Sequence, residues 1–295
     1  MKTMQLGPTG IEVSAIGLGA MHLSLAGRPP EEQAVALIHR ALDLGVTLID
    51  TADSYCRDED DKHHNERLVH RALTTWDGDA AAIVVATKGG LMRPQGRWTI
   101  NGDPEHLRRR IRESHRALGG EAPIALWQHH APDPKVGIEA SLAVVREAVD
   151  EGLIRFVGLS NYSVEEIECA RAIVDVVSVQ NQYSPWHRQP EVDGVLEYCE
   201  QEGLCFLPWS PLGGSHRAKS LAEHEALVSL ARERGVSPQQ LVLAWLRAKS
   251  PCVLPIPGAT RTSSLEDSLA AVEVELRGDE PERADRALSL GPPGY

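Results

Sequence analysis

Eight short apolar runs recur along the chain, and longer amphipathic stretches separate them. The runs are Ala15–Leu18, Thr47–Ile49, Ile83–Ala86, Ile124–Trp127, Phe156–Leu159, Val176–Val179, Cys205–Pro208 and Val253–Ile256. Their length and β-branched content suit strands buried on both faces, as in a parallel sheet. The stretches between them read as helices. Glu31–Leu44 opens after Pro29-Pro30 and stops at Gly45, a matched start and stop. Pro104–Leu118 begins behind Asp103 as N-cap, and Ile138–Glu151 ends at Gly152. Ser163 with Glu166 three residues on forms a capping box. Glu191–Glu202 ends at Gly203, and Pro238–Lys249 lies between Ser237 and Pro251. Eight strands, each followed by a helix, predict an α/β chain folded as a (β/α)8 TIM barrel. A doubly wound sheet is the competitor, but its Gly-x-Gly-x-x-Gly turn is missing from Gly17-Leu18-Gly19-Ala20-Met21-His22. With no linker and no internal repeat, a single domain over 1–295 is expected. Leu6-Gly7-Pro8-Thr9-Gly10-Ile11 reads as a short N-terminal β-hairpin turn, placed to plug the bottom of the barrel.

A net charge of −12 makes the chain a poor candidate for sequence-independent nucleic-acid binding, because a phosphate backbone would repel it. It also disfavours an anionic membrane surface. The N-terminal residues lack the apolar core of a signal peptide, and no run approaches the roughly 20 residues that span a bilayer. Cys56, Cys169, Cys199, Cys205 and Cys252 are scattered and form no Cys-x-x-Cys, so neither a disulfide framework nor a structural zinc is signalled. A cytoplasmic location is expected.

In such a barrel the chemistry sits at the C-terminal ends of the strands. Asp50 follows the second strand, with Tyr55 close behind, and Lys88 follows the third. Gln128-His129-His130 end the fourth, Ser160-Asn161-Tyr162 follow the fifth and Gln180-Asn181-Gln182 the sixth. Trp209-Ser210-Pro211 and Pro257-Gly258-Ala259-Thr260-Arg261 complete the rim. Asp, Tyr, Lys and His make chemical sense together. A tyrosine has a pKa of about 10 and is a sluggish acid at neutral pH. A nearby ammonium stabilises its phenolate, a carboxylate holds the ammonium, and a histidine can bond a substrate oxygen or relay a proton. Alternation along the strand turns His130 inward and His129 out toward the helices.

At these positions the sequence resembles the aldo-keto reductase superfamily. Asp50-Thr51-Ala52-Asp53-Ser54-Tyr55, Ala86-Thr87-Lys88-Gly89-Gly90, Trp127-Gln128-His129-His130-Ala131-Pro132-Asp133, Gly158-Leu159-Ser160-Asn161-Tyr162, Val179-Gln180-Asn181-Gln182-Tyr183 and Pro208-Trp209-Ser210-Pro211-Leu212-Gly213 match its motifs in order. The resemblance implies hydride transfer between NADP(H) and an aldehyde, ketone or matching alcohol, with NAD(H) as the second cofactor. It implies a tetrad of Asp50, Tyr55, Lys88 and His130, with Tyr55 as general acid. Asn161 and Gln180, with Ser160 beside them, would hold the carboxamide, and Trp209 would stack on the nicotinamide. Gly19, Ala20 and Met21 would border that end. Ser210, Leu212 and Gly213 would line the pyrophosphate. Ile256, Gly258, Thr260, Arg261, Ser264, Asp267 and Ser268 would line the rest, with Arg261 as the cation for a 2′-phosphate. Met21, Tyr55, Trp98, His130 and Trp186 are the candidate substrate wall.

The chain departs from the family pattern in places. Cys56 follows Tyr55 where glycine is usual. A charged insertion, Arg57-Asp58-Glu59-Asp60-Asp61-Lys62, precedes His63-His64-Asn65-Glu66, and the run from Asp58 to Glu66 reads as a solvated loop. Ser264, Asp267 and Ser268 also differ from the common cofactor-tail residues, and little chain is left for a long C-terminal loop. Two other functions compete: a cofactor-binding regulatory subunit with little turnover, and a metal-dependent barrel hydrolase. The hydrolase needs a His-x-His or carboxylate-rich ligand set that the sequence does not offer, so no metal is expected. The expected partner is a small carbonyl or alcohol, with no nucleic acid or membrane, and the sequence does not fix the oligomeric state.

Overall fold

The computed structural model describes residues 1–289; residues 290–295 of the expected domain lie outside the described part. Two antiparallel strands, β1 (Thr3–Gln5) and β2 (Glu12–Ser14), open the chain. Then come β3 (Leu18–Gly19), α1 (Glu31–Asp43), β4 (Leu48–Asp50), α2 (His64–Thr75) and β5 (Val84–Gly89). A small hairpin of β6 (Leu91–Met92) and β7 (Thr99–Ile100) leads to α3 (Pro104–Ala117), β8 (Ile124–His129), α4 (Ile138–Asp150), β9 (Ile154–Ser160), α5 (Val164–Arg171) and β10 (Val176–Gln180). After α6 (Gln189–Val192), α7 (Val195–Gln201) and β11 (Cys205–Phe206), the chain is helical: α8 (Gly214–Ser220), α9 (Glu225–Arg234), α10 (Pro238–Lys249), α11 (Thr262–Ala270) and α12 (Glu280–Ser289).

Among the described residues, β3-β4-β5-β8-β9-β10-β11 form one parallel sheet in chain order, the signature of repeated βα units wound in one sense. The eighth expected strand, Val253–Ile256, forms no regular ladder, because Pro255 and Pro257 have no N–H to give. Its carbonyls and remaining amides still close the barrel. Gly17 N and Gly19 N donate to Pro255 O and Pro257 O at 2.9 and 3.0 Å, while Leu254 N donates to Phe206 O at 2.8 Å. Gly19 has to be glycine at this seam, since a Cβ would come within 2.7 Å of Ile256 O.

Strand alternation divides the apolar side chains into two layers. Leu48, Val84, Ala86, Leu126, Val177 and Leu254 fill the barrel, and Leu6 and Val13 of the N-terminal hairpin close its bottom. Ile38, Val69, Leu107, Val145, Ile167 and Trp245 pack between sheet and helices. The expected helices α1, α3, α4 and α10 form at their sequence positions, and α5 carries the Ser163–Glu166 capping box. The helix expected over Glu191–Glu202 is instead two, because Gly194 adopts φ +80° between α6 and α7.

The segment Asp58–Glu66 is not the solvated loop its charges suggested. Lys62, His63, Asn65 and Glu66 are buried, and α2 starts at His64. Burial is tolerated because the groups are paired. Glu66 takes hydrogen bonds from His63 Nδ1 (2.6 Å) and Thr87 Oγ1, and Arg28 pairs with Asp61. Among the described residues no helix is long and apolar enough to cross a membrane.

Candidate active site

The open top of the barrel holds a cavity of about 460 Å³, with Asp50, Tyr55 and His130 in its wall. Beyond β4 the backbone keeps laddering onto β5: Thr51 N donates to Ala86 O (2.8 Å) and Asp53 N to Lys88 O (3.0 Å). That pairing brings Tyr55 over Lys88, whose side chain points inward with Val84 and Ala86 in the alternation of β5. The buried Lys88 Nζ donates to Asp50 Oδ2 (2.7 Å), Thr51 O (2.9 Å) and Tyr55 Oη (2.8 Å). Tyr55 Oη lies 3.4 Å from Asp50 Oδ2. His130 stands edge-on to Tyr55 with ring centres 5.9 Å apart, and its buried Nδ1 has no partner among the described residues.

Burial, and then the Asp50 carboxylate, hold the Tyr55 hydroxyl well above its ordinary pKa. The expected lowering by the ammonium is therefore outweighed, and Tyr55 stands as a protonated acid. Burial pushes Lys88 down, against the pull of Asp50. Burial and the Lys88 charge hold His130 well below the usual imidazole range, so its ring is neutral. His129 faces the helices as expected; burial lowers its pKa to about 4, and Nδ1 meets Tyr162 Oη at 2.6 Å. Cys56 is buried and free, its thiol pushed up to about 12 mainly by burial, so it is an inert packed thiol.

Gly19, Met21, Ser160, Asn161, Gln180, Trp209, Ser210, Leu212, Ile256, Gly258 and Thr260 line the same cavity. Asn161 and Ser210 are non-glycine residues with φ +64° and +50°, a conformation that is uncommon outside functional turns. Asn161 Oδ1 accepts from Trp209 Nε1 (3.1 Å) and its amide donates to His130 O (2.9 Å), so carboxamide, indole and β8 are locked together. Gln180 Nε2 is held by Asp50 Oδ1 (2.8 Å), whereas Gln180 Oε1 accepts nothing among the described residues. The Ser160 hydroxyl likewise has an unused proton. These open groups, beside the broad Trp209 ring, fit a nicotinamide carboxamide with its ring against the indole.

Other expected residues sit outside the cavity wall. Ala20 is buried, with its carbonyl taken by Asn65 Nδ2 (2.9 Å). Gly213 caps the Ser210 turn, its amide donating to Ser210 O (2.8 Å). Trp186 does not line the cavity; its ring packs on Gly213 and under the Arg217 guanidinium. Asp267 accepts from Ser237 Oγ (2.8 Å) and Gln240 Nε2 (2.9 Å), tying α11 to the start of α10. Ser268 is buried. Arg261 is exposed at the start of α11, with Ser264 Oγ at 3.4 Å and no ion pair among the described residues. Gln128 was not singled out from sequence. It bridges Gln180 Nε2 (3.1 Å) and Asp50 Oδ1 (3.4 Å), and alternation from His130 would have pointed it inward. His22, Leu25 and Leu91 also line the cavity unforeseen. No described group of His, Cys, Asp and Glu side chains is arranged to hold a metal ion.

A sequence model for the aldo/keto reductase family matches residues 15–289. An uncharacterized oxidoreductase of Schizosaccharomyces pombe is 36% identical over 272 residues, covering 90% of this chain and 84% of the relative. A thermostable aldo-keto reductase solved with the inhibitor epalrestat is 29% identical at a TM-score of 0.82, covering 97% of this chain and 100% of that one. An aldo/keto reductase from Klebsiella pneumoniae, solved with NADP and acetate, is 26% identical at a TM-score of 0.81, covering 100% of this chain and 97% of that one.

Proposed function

The chain belongs to the aldo/keto reductase family, and we propose that it passes a hydride between NADP(H) and an aldehyde or ketone, with Tyr55 as general acid. The observation that carries this reading is the buried Lys88 ammonium within 2.8 Å of Tyr55 Oη and 2.7 Å of Asp50 Oδ2. When bound, NADPH supplies the hydride. Tyr55 gives its proton to the carbonyl oxygen, and Lys88 stabilises the phenolate that remains. Asp50 holds Lys88 in place. The neutral His130 donates from Nε2 to the same oxygen, leaving its unpartnered Nδ1 as the bare acceptor.

Ser160, Asn161 and Gln180 orient the carboxamide and Trp209 packs on the ring. Arg261 supports NADP(H) over NAD(H), since neighbouring carboxylates leave it free for a phosphate. Glu266 is taken by Arg40 (2.7 Å) and Asp267 by Ser237 and Gln240. The Klebsiella relative, itself solved with NADP, adds support. We also read 1–295 as one domain and assign the protein to the cytoplasm. The test is NADPH consumption by the purified protein over a panel of aldehydes and ketones, with NADPH binding titrated in parallel. Turnover supports the reading. Tight binding without turnover across the panel overturns it in favour of a regulatory subunit.

A further inference from the structure

The charged segment after Tyr55 is absorbed by neither the tetrad nor the cofactor groove, yet it is well connected. Glu59 Oε1 accepts the backbone N–H of Arg93, and its other oxygen lies 3.6 Å from Arg110 Nη2 on α3. Lys62 is buried, pairs with Glu59 (3.3 Å), stands 3.7 Å from Asp53 and donates to Leu91 O (3.1 Å). The carbonyl of Arg57 closes on Gly96, where a Cβ would come within 3.3 Å. Three of these contacts, at Arg93, Leu91 and Gly96, fall on one target, the hairpin of β6 and β7 with its turn.

That hairpin is the side wall of the cavity. Leu91 and Trp98 both line it, and Trp98 stands edge-on to Tyr55 with ring centres 6.4 Å apart. The Arg93 guanidinium lies 3.8 Å over the Trp98 ring, a cation–π contact that fixes a large, half-exposed indole. A hairpin of two two-residue strands has little stability of its own. Its position has to come from outside: Asn101 N to Gly90 O and Gly102 N to Asp133 Oδ2 anchor its base, and Glu59 and Lys62 hold its outer part.

We propose that Glu59 and Lys62 are positioning residues for the substrate wall: they hold Leu91 and the Arg93–Trp98 stack beside Tyr55 and thereby set the preference for carbonyl compounds with a flat apolar group. The selectivity half of this inference rests on the reductase reading above; the structural half does not. A small aldehyde needs only Tyr55 and His130. An aromatic aldehyde also needs the wall, because its ring has to lie against Trp98 and Leu91.

The test compares wild type with Glu59→Ala, Glu59→Gln and Trp98→Ala. Amide hydrogen exchange of the cofactor-free protein reads the clamp directly. In Glu59→Ala, exchange over residues 91–100 should quicken by about tenfold, the loss of one hydrogen bond to a charged acceptor, with β5 and β8 unchanged. Glu59→Gln keeps an acceptor for the Arg93 amide, so it should be rescued in part. In turnover, Glu59→Ala should raise KM for a benzaldehyde by a similar factor and leave KM for propionaldehyde and the affinity for NADPH unchanged. Trp98→Ala should reproduce that selective loss, and the double variant should add little to it. Unchanged exchange over 91–100 overturns the clamp. Equal losses for both aldehydes overturn the selectivity role. If wild type turns over neither aldehyde, the reductase reading fails while the exchange result still decides the clamp. Should Glu59→Ala not fold, Glu59→Gln carries the exchange comparison with a smaller change.

Discussion

Lys88 Nζ donates to Tyr55 Oη at 2.8 Å while its two other N–H groups are held by Asp50 Oδ2 and Thr51 O. An ammonium has three donors, so this one is fully committed and cannot turn. Tyr55 Oη is therefore an acceptor toward Lys88, and its own proton points elsewhere. It reaches Asp50 Oδ2 at 3.4 Å, a weak bond that a substrate oxygen in the cavity can replace.

Tyr55→Phe keeps the ring and its packing on Trp98 and His130 but removes that proton. We expect kcat for carbonyl reduction to fall by about 10²–10⁴, the usual contribution of a general acid, with NADPH affinity nearly unchanged. Steady-state kinetics and a fluorescence titration measure the two quantities. Wild-type-like turnover would remove Tyr55 from the reaction.

Lys88→Met removes the charge that favours the phenolate. Burial and Asp50 already hold the Tyr55 pKa high, and losing the ammonium moves it higher still. Reduction uses the protonated tyrosine and oxidation uses the phenolate. The alkaline fall in the reduction rate and the rise of alcohol oxidation with pH should therefore both move to higher pH, with the two directions losing kcat/KM in step at any one pH because the equilibrium constant is fixed. Profiles of kcat/KM against pH in both directions check this. Unmoved profiles would make Lys88 a structural ion pair.

Much of this was legible in sequence because it is written in period and punctuation. Alternation along β8 separates His130 from His129, and the Pro29-Pro30 and Gly45 boundaries delimit α1. What escaped depends on contacts far apart in the chain. Nothing local to Val253–Ile256 says that its prolines would deny it a ladder and still leave carbonyls for Gly17 and Gly19. The Asp193-Gly194 dipeptide was a turn signal that the helical pattern around it obscured. The segment Asp58–Glu66 is the clearest case. Its charges imply solvent only if they are unpaired, and their partners Thr87, Arg93 and Arg110 lie 20 or more residues away.

Asp53 is fully buried and neither carboxylate oxygen has a hydrogen-bond partner among the described residues, although Lys62 Nζ stands 3.7 Å away. Burial raises its pKa from 3.8 to about 6. Below about pH 4 the folded and unfolded chains both carry this proton and the group contributes nothing. As pH rises toward 6 the unfolded chain releases it first, so folding stability falls. Above 6 the cost levels off at about 3 kcal/mol. Asparagine mimics the protonated acid, so Asp53→Asn should stabilise the fold by up to that amount at pH 7.5, with the gain shrinking toward zero near pH 4. Urea unfolding at pH 7.5 and 4.5 checks the sign; a gain independent of pH, or a loss at pH 7.5, would contradict it.

Arg261 stands at the N-cap of α11, the helix Thr262–Ala270, directly after the segment that closes the barrel. The first amides of that helix have no intrahelical acceptor and favour an anion. The carboxylates that could have claimed Arg261 are taken: Glu266 by Arg40, and Asp267 by Ser237 and Gln240. Its hydrogen bond to Ser264 Oγ, at 3.4 Å, is weak enough to yield. An arginine can fork onto a phosphate with two charge-assisted bonds, and NADPH differs from NADH by one phosphate. A hydrogen bond to a charged group contributes roughly 1.5–3 kcal/mol, or about 10- to 100-fold in affinity. Arg261→Ala should therefore weaken NADPH by about that factor and leave NADH nearly unchanged. Because the residue is exposed, the effect should also diminish as salt is raised. Fluorescence quenching gives both dissociation constants for wild type and variant. Equal weakening of the two cofactors, or of neither, would mean that Arg261 does not read the 2′-phosphate.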